Sequence, residues 1–345
     1  MAFKNNSNVQ LAPYNTLGSG GRSSFFTTVS NIDDLKSAVE LAQKQNLPIF
    51  VLGGGSNVLF SDSGWSGQVI KMDIKGLEFE DRGREVLVRA SAGENWDQMV
   101  LETVKRGLYG LENLSGIPGT AGATPIQNIG AYGVEIKDSL ESVEVLDIND
   151  KKIKTISAKD CDFKYRHSIF KESAGKHYVV LKINCVLSKD PKPVAHYKDI
   201  KEKVSGLPLE KLTPEFLRQV VLDIRFEKFP DIKKVGTAGS FFKNPVVSME
   251  KFQDLKKIFP EMPGYENTDN SIKIPLAWIL DKVLNLKGYK KGSVALFNSQ
   301  PLVLVNFGES NGDEVYRFGL KIANLVKERT GIDIEFEVTP VGNFV

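Results

Sequence analysis

Between Leu114 and Gly133 the chain runs LSGIPGTAGATPIQNIGAYG, twenty residues with five glycines and two prolines and no sustained apolar period. A stretch that closes into neither helix nor strand leaves its backbone amides to find other partners. Structureless segments of more than about 12–15 residues inside a compact domain are functional or disordered. This one is too poor in charge and too rich in apolar spacers for disorder. It is therefore expected to wrap a cofactor. A second glycine break, Gly53-Gly54-Gly55-Ser56-Asn57, follows the strand-like PIFVL of Pro48 to Leu52. Amides without side chains in the way can cradle a phosphate there, and the Ser and Asn side chains add donors. It is not the Rossmann fingerprint, because the third glycine position falls on Val58 and strand-like residues follow where that motif opens a helix. A lone glycine triplet is most simply a tight turn. Two glycine loops in one domain can hold a pyrophosphate from opposite sides.

Around these loops, strand and helix signals alternate. Phe25 to Val29 is β-rich, and Ile32, Leu35, Ala38, Val39 and Ala42 follow at helical spacing behind Ser30-Asn31. Val86 to Gly93 predicts a strand, and Trp96, Met99, Val100 and Thr103 line a helix to about Arg106. SVEVLDIN, KIKTIS and YVVLKINCVLS predict antiparallel pairing, with Asn149-Asp150 as the first turn. These elements place a first domain at residues 1–190. The Lys- and Pro-rich stretch that follows predicts a linker or mobile flap at 191–212. A second domain is expected at 213–345, opened by the helix that starts at Thr213-Pro214-Glu215. Later helices are predicted from Met249 to Phe259, Pro275 to Leu284 and Asp313 to Arg329, the last stopped by Gly331, with LVLVNF and IEFEVTPVG as strands.

Composition excludes several classes. The 45 basic and 43 acidic residues leave +2 with no basic block, which argues against nucleic acid. No apolar run approaches the roughly 18 residues of a membrane span, and MAFKNNSNVQ carries no secretory h-region. A cytoplasmic monomer is expected. Cys161 and Cys185 are too few and too far apart for a zinc set, and His167, His177 and His196 lack ligand spacing. No metal is expected, so any redox chemistry needs an organic cofactor. Ser240 stands in GTAGSFFKNP without a G-x-S-x-G elbow, and no histidine lies in its domain to build a hydrolase. Taken alone, this segment reads as a glycine turn entering a buried Phe-Phe strand, and Tyr165-Arg166-His167-Ser168 as a solvated turn with a buried tyrosine ring. Glu335 and Glu337 fall on one face of a predicted strand, the usual spacing of a solvent-facing pair.

In combination these pieces resemble the UDP-N-acetylenolpyruvoylglucosamine reductase family, flavoenzymes of peptidoglycan precursor synthesis, over nearly the whole chain. The resemblance is carried by Asn15-Thr16-Leu17-Gly18, LGGGSNVLFSD from Leu52, ENLSGIPGTAGATPIQNIGAYGVEI from Glu112 and YRHSIFK from Tyr165. It continues through KFPDIKKVGTAGSFFKNPVV from Lys228, SIKIPLAWILDK from Ser271, NSQPLVLVN from Asn298 and IEFEVTPVG from Ile334. It implies an α+β architecture: an FAD-binding domain of the vanillyl-alcohol oxidase and p-cresol methylhydroxylase type, followed by a smaller α+β domain for the UDP-sugar. NADPH would be the hydride donor, non-covalent FAD the carrier, and the enolpyruvyl ether of UDP-N-acetylglucosamine enolpyruvate the acceptor, yielding UDP-N-acetylmuramate.

By motif match, Arg166 is the cation at the enolpyruvyl carboxylate, Ser240 the proton donor, and Glu337 the carboxylate that works with Arg166. FAD would lie against Gly53, Gly54, Gly55, Ser56 and Asn57, against Ser115, Gly116, Gly119, Thr120, Gln127, Asn128, Gly130 and Ala131, and near Arg225. Substrate would meet Tyr165, Lys228, Asn244, Tyr265, Lys287 and Gln300, with Tyr197 closing over it as in the longer of the family's two classes. The family's usual Leu-Glu-Pro-Glu-Val-Arg reads here Ile334-Glu335-Phe336-Glu337-Val338-Thr339, so its proline and arginine are replaced, and His167 stands where Asp is commoner. Two other readings compete. One is a vanillyl-alcohol oxidase-like FAD oxidase or dehydrogenase of another small molecule, against which Lys228, Ser240 and Asn244 in one block argue. The other is a binding protein without chemistry, against which Arg166, Ser240 and Glu337 together argue.

Overall fold

Alternation of inward apolar and outward polar residues builds most of the first half into antiparallel sheet, and the computed structural model describes residues 4–267, 269–308 and 310–345. A five-stranded sheet runs in the order Ile153–Ser157, Leu140–Asp147, Tyr178–Ser188, Glu85–Ser91 and Leu77–Asp81, with antiparallel neighbours throughout. A four-stranded sheet orders Asn6–Gln10, Arg22–Val29, Trp65–Met72 and Ile49–Leu52, the last pair parallel with Leu52 opposite Lys71. Helix Ile32–Lys44 starts at Asn31, whose side chain accepts from the Asp34 amide at 2.8 Å. Helix Trp96–Lys105 starts at Asn95, which accepts from the Gln98 amide at 3.0 Å. Leu35, Val39, Ile70, Val88, Trp96, Met99 and Val143 meet in one core. Burial of each large apolar side chain contributes about 1.5–3 kcal/mol.

The chain forms two units, and neither is continuous in sequence. The first holds Met1–Asn8, Ser24–Gly54 and Ser66–Phe226, and the second holds Val9–Ser23, Gly55–Trp65 and Glu227–Val345. This differs from the division expected at 191–212. That stretch is no bare linker: it contains helix Lys198–Val204, and Ile200, Val204 and Leu212 pack with Leu217, Val220, Val221 and Ile224. The apolar face of helix Pro214–Lys228, expected to open the second domain, thus closes a small core belonging to the first unit.

In the second unit a four-stranded antiparallel sheet orders Gly236–Ser240, Val303–Asn306, Val294–Leu296 and Lys290–Lys291. Helix Gly312–Thr330 ends at Gly331 as its sequence predicts. Its first amides, from Gly312 and Asp313, donate to the Asp62 carboxylate at 2.9 and 3.3 Å, where an anion meets the positive helix end. Leu17, Leu59, Phe241, Phe242, Ile279, Phe318 and Ile322 fill the core. The strand expected across Ile334 to Gly342 shrinks to Thr339–Val341, which runs parallel to Val58–Phe60. Upstream, only Phe336 bridges to Phe242, because its ring is drawn among Phe241, Phe242 and Tyr316.

Candidate active site

In the first unit the two glycine loops touch. A Cβ on Gly54 would lie 2.7 Å from the Gly119 Cα, so the backbones approach as only glycine allows. Beside them Thr120 is 8% exposed, and its Oγ1 lies 2.7 Å from where a Gly53 Cβ would stand. That hydroxyl is buried without a hydrogen-bond partner. An orphaned buried hydroxyl costs roughly 1–3 kcal/mol unless a ligand satisfies it. Glycine cradle and orphan hydroxyl together fit a phosphate group of a dinucleotide. Lys71 adds positive charge, donating from Nζ to the Gly53 carbonyl, with its pKa lowered by burial.

Several other residues expected against FAD also bond within the protein. Gly116 donates its amide to Asp97 Oδ1 at 2.6 Å, so that amide is committed within the protein. Asn128 is fully buried; its Nδ2 donates to Glu135 Oε2 at 2.8 Å and the Lys164 carbonyl at 3.1 Å, and its Oδ1 accepts from the Lys137 amide at 3.3 Å. Ser115 donates to the Glu112 carbonyl at 2.6 Å. Gly130 and Ala131 form a two-residue strand, with Gln127 half-buried just before it. Arg225 packs on Gly116 and is hydrogen-bonded with Tyr132; partial burial lowers the guanidinium pKa, which Tyr132 and Asp97 counter. Burial likewise pushes the Tyr132 hydroxyl up to about 12.

Arg166 occupies the second corner of a two-residue turn closed by Lys164 and His167, at φ 53°, a conformation that L-residues adopt at a cost of about 1–2 kcal/mol. Its guanidinium donates to the Gly130 carbonyl at 2.7 Å and sits 5.2 Å from the centre of the Tyr165 ring. Catalytic and cofactor candidates therefore meet here, and both Tyr165 and Arg166 are half-buried. Tyr197, 43% exposed, lies edge-on to Tyr132 with ring centroids 5.6 Å apart.

The second unit gathers a complementary set. Ser240 ends its strand half-buried, and the next residue, Phe241, accepts the Glu337 amide at 2.8 Å. Asn57 Nδ2 donates to the Glu337 carbonyl at 3.1 Å. Three sequence-distant candidates, Asn57, Ser240 and Glu337, are thus brought together. Glu335 and Glu337 do not share a strand face: Glu335 is exposed and pairs with Lys243 at 2.6 Å, whereas Glu337 sits half-buried in the bend after Phe336. Asn244 accepts the Leu276 amide at 2.9 Å. Lys228 and Gln300 are half-buried, Tyr265 and Lys287 exposed. Sequence reasoning missed Asp97, Arg218, Thr16 and Thr237, which act through contacts between distant segments.

Among the described residues no helix is long and apolar enough to cross a membrane. Cys161 and Cys185 are free and buried, and burial pushes both thiols up to about 12. Asp162, His167 and Glu172 bring ligand atoms within 4.8 Å of one another, a grouping that the histidine spacing did not predict. Asp162 is, however, already paired with Lys164 at 2.7 Å and His167 with Glu172 at 2.8 Å.

Residues 23–157 match the family model described as FAD binding domain, which places the chain in the FAD-binding class, and the glycine cradle with its orphan hydroxyl is in keeping with a bound phosphate. Residues 231–341 match the C-terminal domain of UDP-N-acetylenolpyruvoylglucosamine reductase. Proteins of that name from Chromobacterium violaceum and Neisseria gonorrhoeae are 37% and 40% identical, over 98% and 95% of this chain and 99% and 94% of their own lengths. The crystal structure of the enzyme so named from Thermus caldophilus shares the fold, with TM-score 0.69 and 24% identity over 99% of this chain and 100% of that one. The chain belongs to the UDP-N-acetylenolpyruvoylglucosamine reductase family.

Proposed function

We propose that this protein uses NADPH and FAD to reduce the enolpyruvyl ether of UDP-N-acetylglucosamine enolpyruvate to UDP-N-acetylmuramate, in peptidoglycan precursor synthesis, acting as a cytoplasmic monomer. The observation that carries this reading is the pairing, in one chain, of an FAD-binding half with the reductase's own C-terminal half. FAD, which the Gly53–Gly55 and Gly119–Thr120 cradle would hold, would supply two-electron hydride chemistry between NADPH and the terminal carbon of the enolpyruvyl double bond. The residues then have to manage the charge that appears on the neighbouring carbon and its carboxylate.

Arg166 places a guanidinium at that carboxylate; its turn is closed by the Lys164 and His167 backbone bonds, and its guanidinium is tied to the Gly130 carbonyl. Glu337, by the family match, is the carboxylate that works on the same intermediate. Ser240 gives its hydroxyl proton to the carbanionic carbon, which completes addition of H⁻ and H⁺ across the double bond, and recovers a proton from solvent. A serine is a weak acid, suited to this step because the carbon opposite is strongly basic. The UDP moiety is held by Lys228 and Lys287 at the pyrophosphate and by Asn244, Tyr265 and Gln300 at the nucleoside. Tyr165 and Tyr197 line the sugar, and the 191–212 stretch carrying Tyr197 acts as a flap.

Anaerobic mixing tests the proposal. NADPH should bleach the flavin, the UDP-enolpyruvyl sugar should restore its colour, and mild denaturation should release the flavin from the polypeptide. Colour restored by oxygen and by no UDP-sugar would favour an oxidase of another small molecule.

A further inference from the structure

The strand that carries Ser240 does not pair regularly. Gly236 and Thr237 lie opposite Asn306 and Val305, but Ser240 lies opposite Val303, so one extra residue is accommodated at Ala238-Gly239. This is a β-bulge, a device that re-aims the side chains beyond it. In an unbroken register Gly239 would stand opposite Val303; the bulge gives that place to Ser240, on the sheet face that carries Thr237. Gly239 makes the bend possible with φ 73°.

Two hydroxyls fasten the bulge. Thr237, 3% exposed, donates from Oγ1 to the Leu304 carbonyl at 2.8 Å, and the same oxygen accepts the Gly239 amide at 3.2 Å. Thr16, in the Asn15-Thr16-Leu17-Gly18 segment, donates from Oγ1 to the Thr237 carbonyl at 2.6 Å. Its backbone repeats the tie, the Thr237 amide donating to the Thr16 carbonyl at 2.9 Å and the Thr16 amide to the Gly55 carbonyl at 3.0 Å. Thr16 therefore joins the end of the first glycine loop to the base of the bulge. Past Ser240 the chain is fixed again, by the Phe241 amide on the Leu302 carbonyl at 2.8 Å.

We propose that Thr237 and Thr16 are positioning residues for Ser240: one hydroxyl holds the bulge from inside, the other holds it to the glycine loop, and together they set the direction in which the Ser240 hydroxyl points. The inference rests on Ser240 as the proton donor. A displacement of about 1 Å at a reacting group can cost on the order of 100-fold in rate.

The test uses the full-length flavoprotein with Thr237→Val, Thr237→Ser, Thr16→Val and Thr16→Ser, and Ser240→Ala as reference. Reoxidation by the UDP-enolpyruvyl sugar should slow by about 100-fold in Thr237→Val and about 10-fold in Thr16→Val, with reduction by NADPH nearly unchanged and the serine variants restoring the rate. A second readout is hydrogen exchange at the Gly239 amide, which should quicken in both valine variants and not in the serine ones. If Thr237→Val fails to fold, Thr16→Val decides, because its half-buried side chain leaves the backbone ties in place. If Ser240→Ala reoxidises normally, the donor assignment falls and the positioning proposal with it. Slow Ser240→Ala with parent-like rates in the folded valine variants would overturn the positioning proposal alone, whether or not Gly239 exchange has changed. Equal slowing of both half-reactions would overturn it too, showing general support of the fold.

Discussion

Glu335 and Glu337 show what a single residue's surroundings add to its spacing. Strand alternation treats the two as equivalent, but the chain bends at Glu337 directly after the Phe336 bridge, which ends the alternation and separates their fates. Glu335 makes an exposed ion pair with Lys243, the kind of contact worth about 0–1 kcal/mol. Glu337 is held by its backbone on both sides, to Phe241 and to Asn57. Glu337→Gln keeps the shape and removes the charge, so flavin reoxidation by substrate should slow on the order of 100-fold while NADPH-driven reduction persists. Glu335→Gln should alter stability by less than about 1 kcal/mol and leave both half-reactions intact. Stopped-flow of each half-reaction checks the pair, and the opposite pattern would mean that the motif is two residues out of register. The acidic position itself was legible in the sequence, but the bend at Glu337 was not, because it is held by Phe241 and Asn57 from distant segments.

Helices Trp96–Lys105 and Pro214–Lys228 were both legible from apolar spacing. What joins them was not. Asp97 receives two parallel bonds from Arg218, at 2.6 and 2.8 Å across 121 residues of sequence, and a third from the Gly116 amide in the long glycine loop. No local pattern marks such a pair, and the sparse apolar residues at Ile200, Val204 and Leu212 were hidden in Lys- and Pro-rich surroundings, so the segment passed for a linker. Burial pushes the Asp97 carboxyl up, but the Arg218 and Gly116 bonds, with the charges of Arg218 and Arg225, outweigh it and leave the group below the ordinary carboxylate range. A depressed folded pKa stabilises fully above the unfolded value of about 3.9 and is lost as pH falls through the folded one. The clasp should therefore be intact at neutral pH and contribute to loosening of the glycine loop only below about pH 4. Asp97→Asn should bring that loosening to neutral pH, weakening FAD retention and costing on the order of 3 kcal/mol, since Arg218 would be left largely buried without its counter-charge. Urea midpoints and flavin fluorescence at pH 7 measure both, and unchanged values would deny the clasp any part in holding the loop.

At the scale of the whole molecule, the sequence suggests two domains in series, whereas the second unit recruits Val9–Ser23 and Gly55–Trp65 from the first 65 residues. Those short pieces read locally as more strand and turn of the domain around them. Only the fold shows that Leu17 and Leu59, 1% and 0% exposed, sit in the core with Phe241 and Phe318. Residues 227–345 on their own would lack those two side chains. They would also lack Val58–Phe60, the parallel neighbour of Thr339–Val341, and the Asp62 carboxylate that receives the first amides of helix Gly312–Thr330. Each missing Leu is worth roughly 2–5 kcal/mol by comparison with large-to-small core changes, against a total of about 5–15 kcal/mol for a whole domain. The isolated segment should therefore show helical far-UV dichroism with no near-UV signal and no cooperative urea transition, while the full chain shows both. A cooperative transition in the fragment would mean that the two early pieces decorate this unit without completing its core.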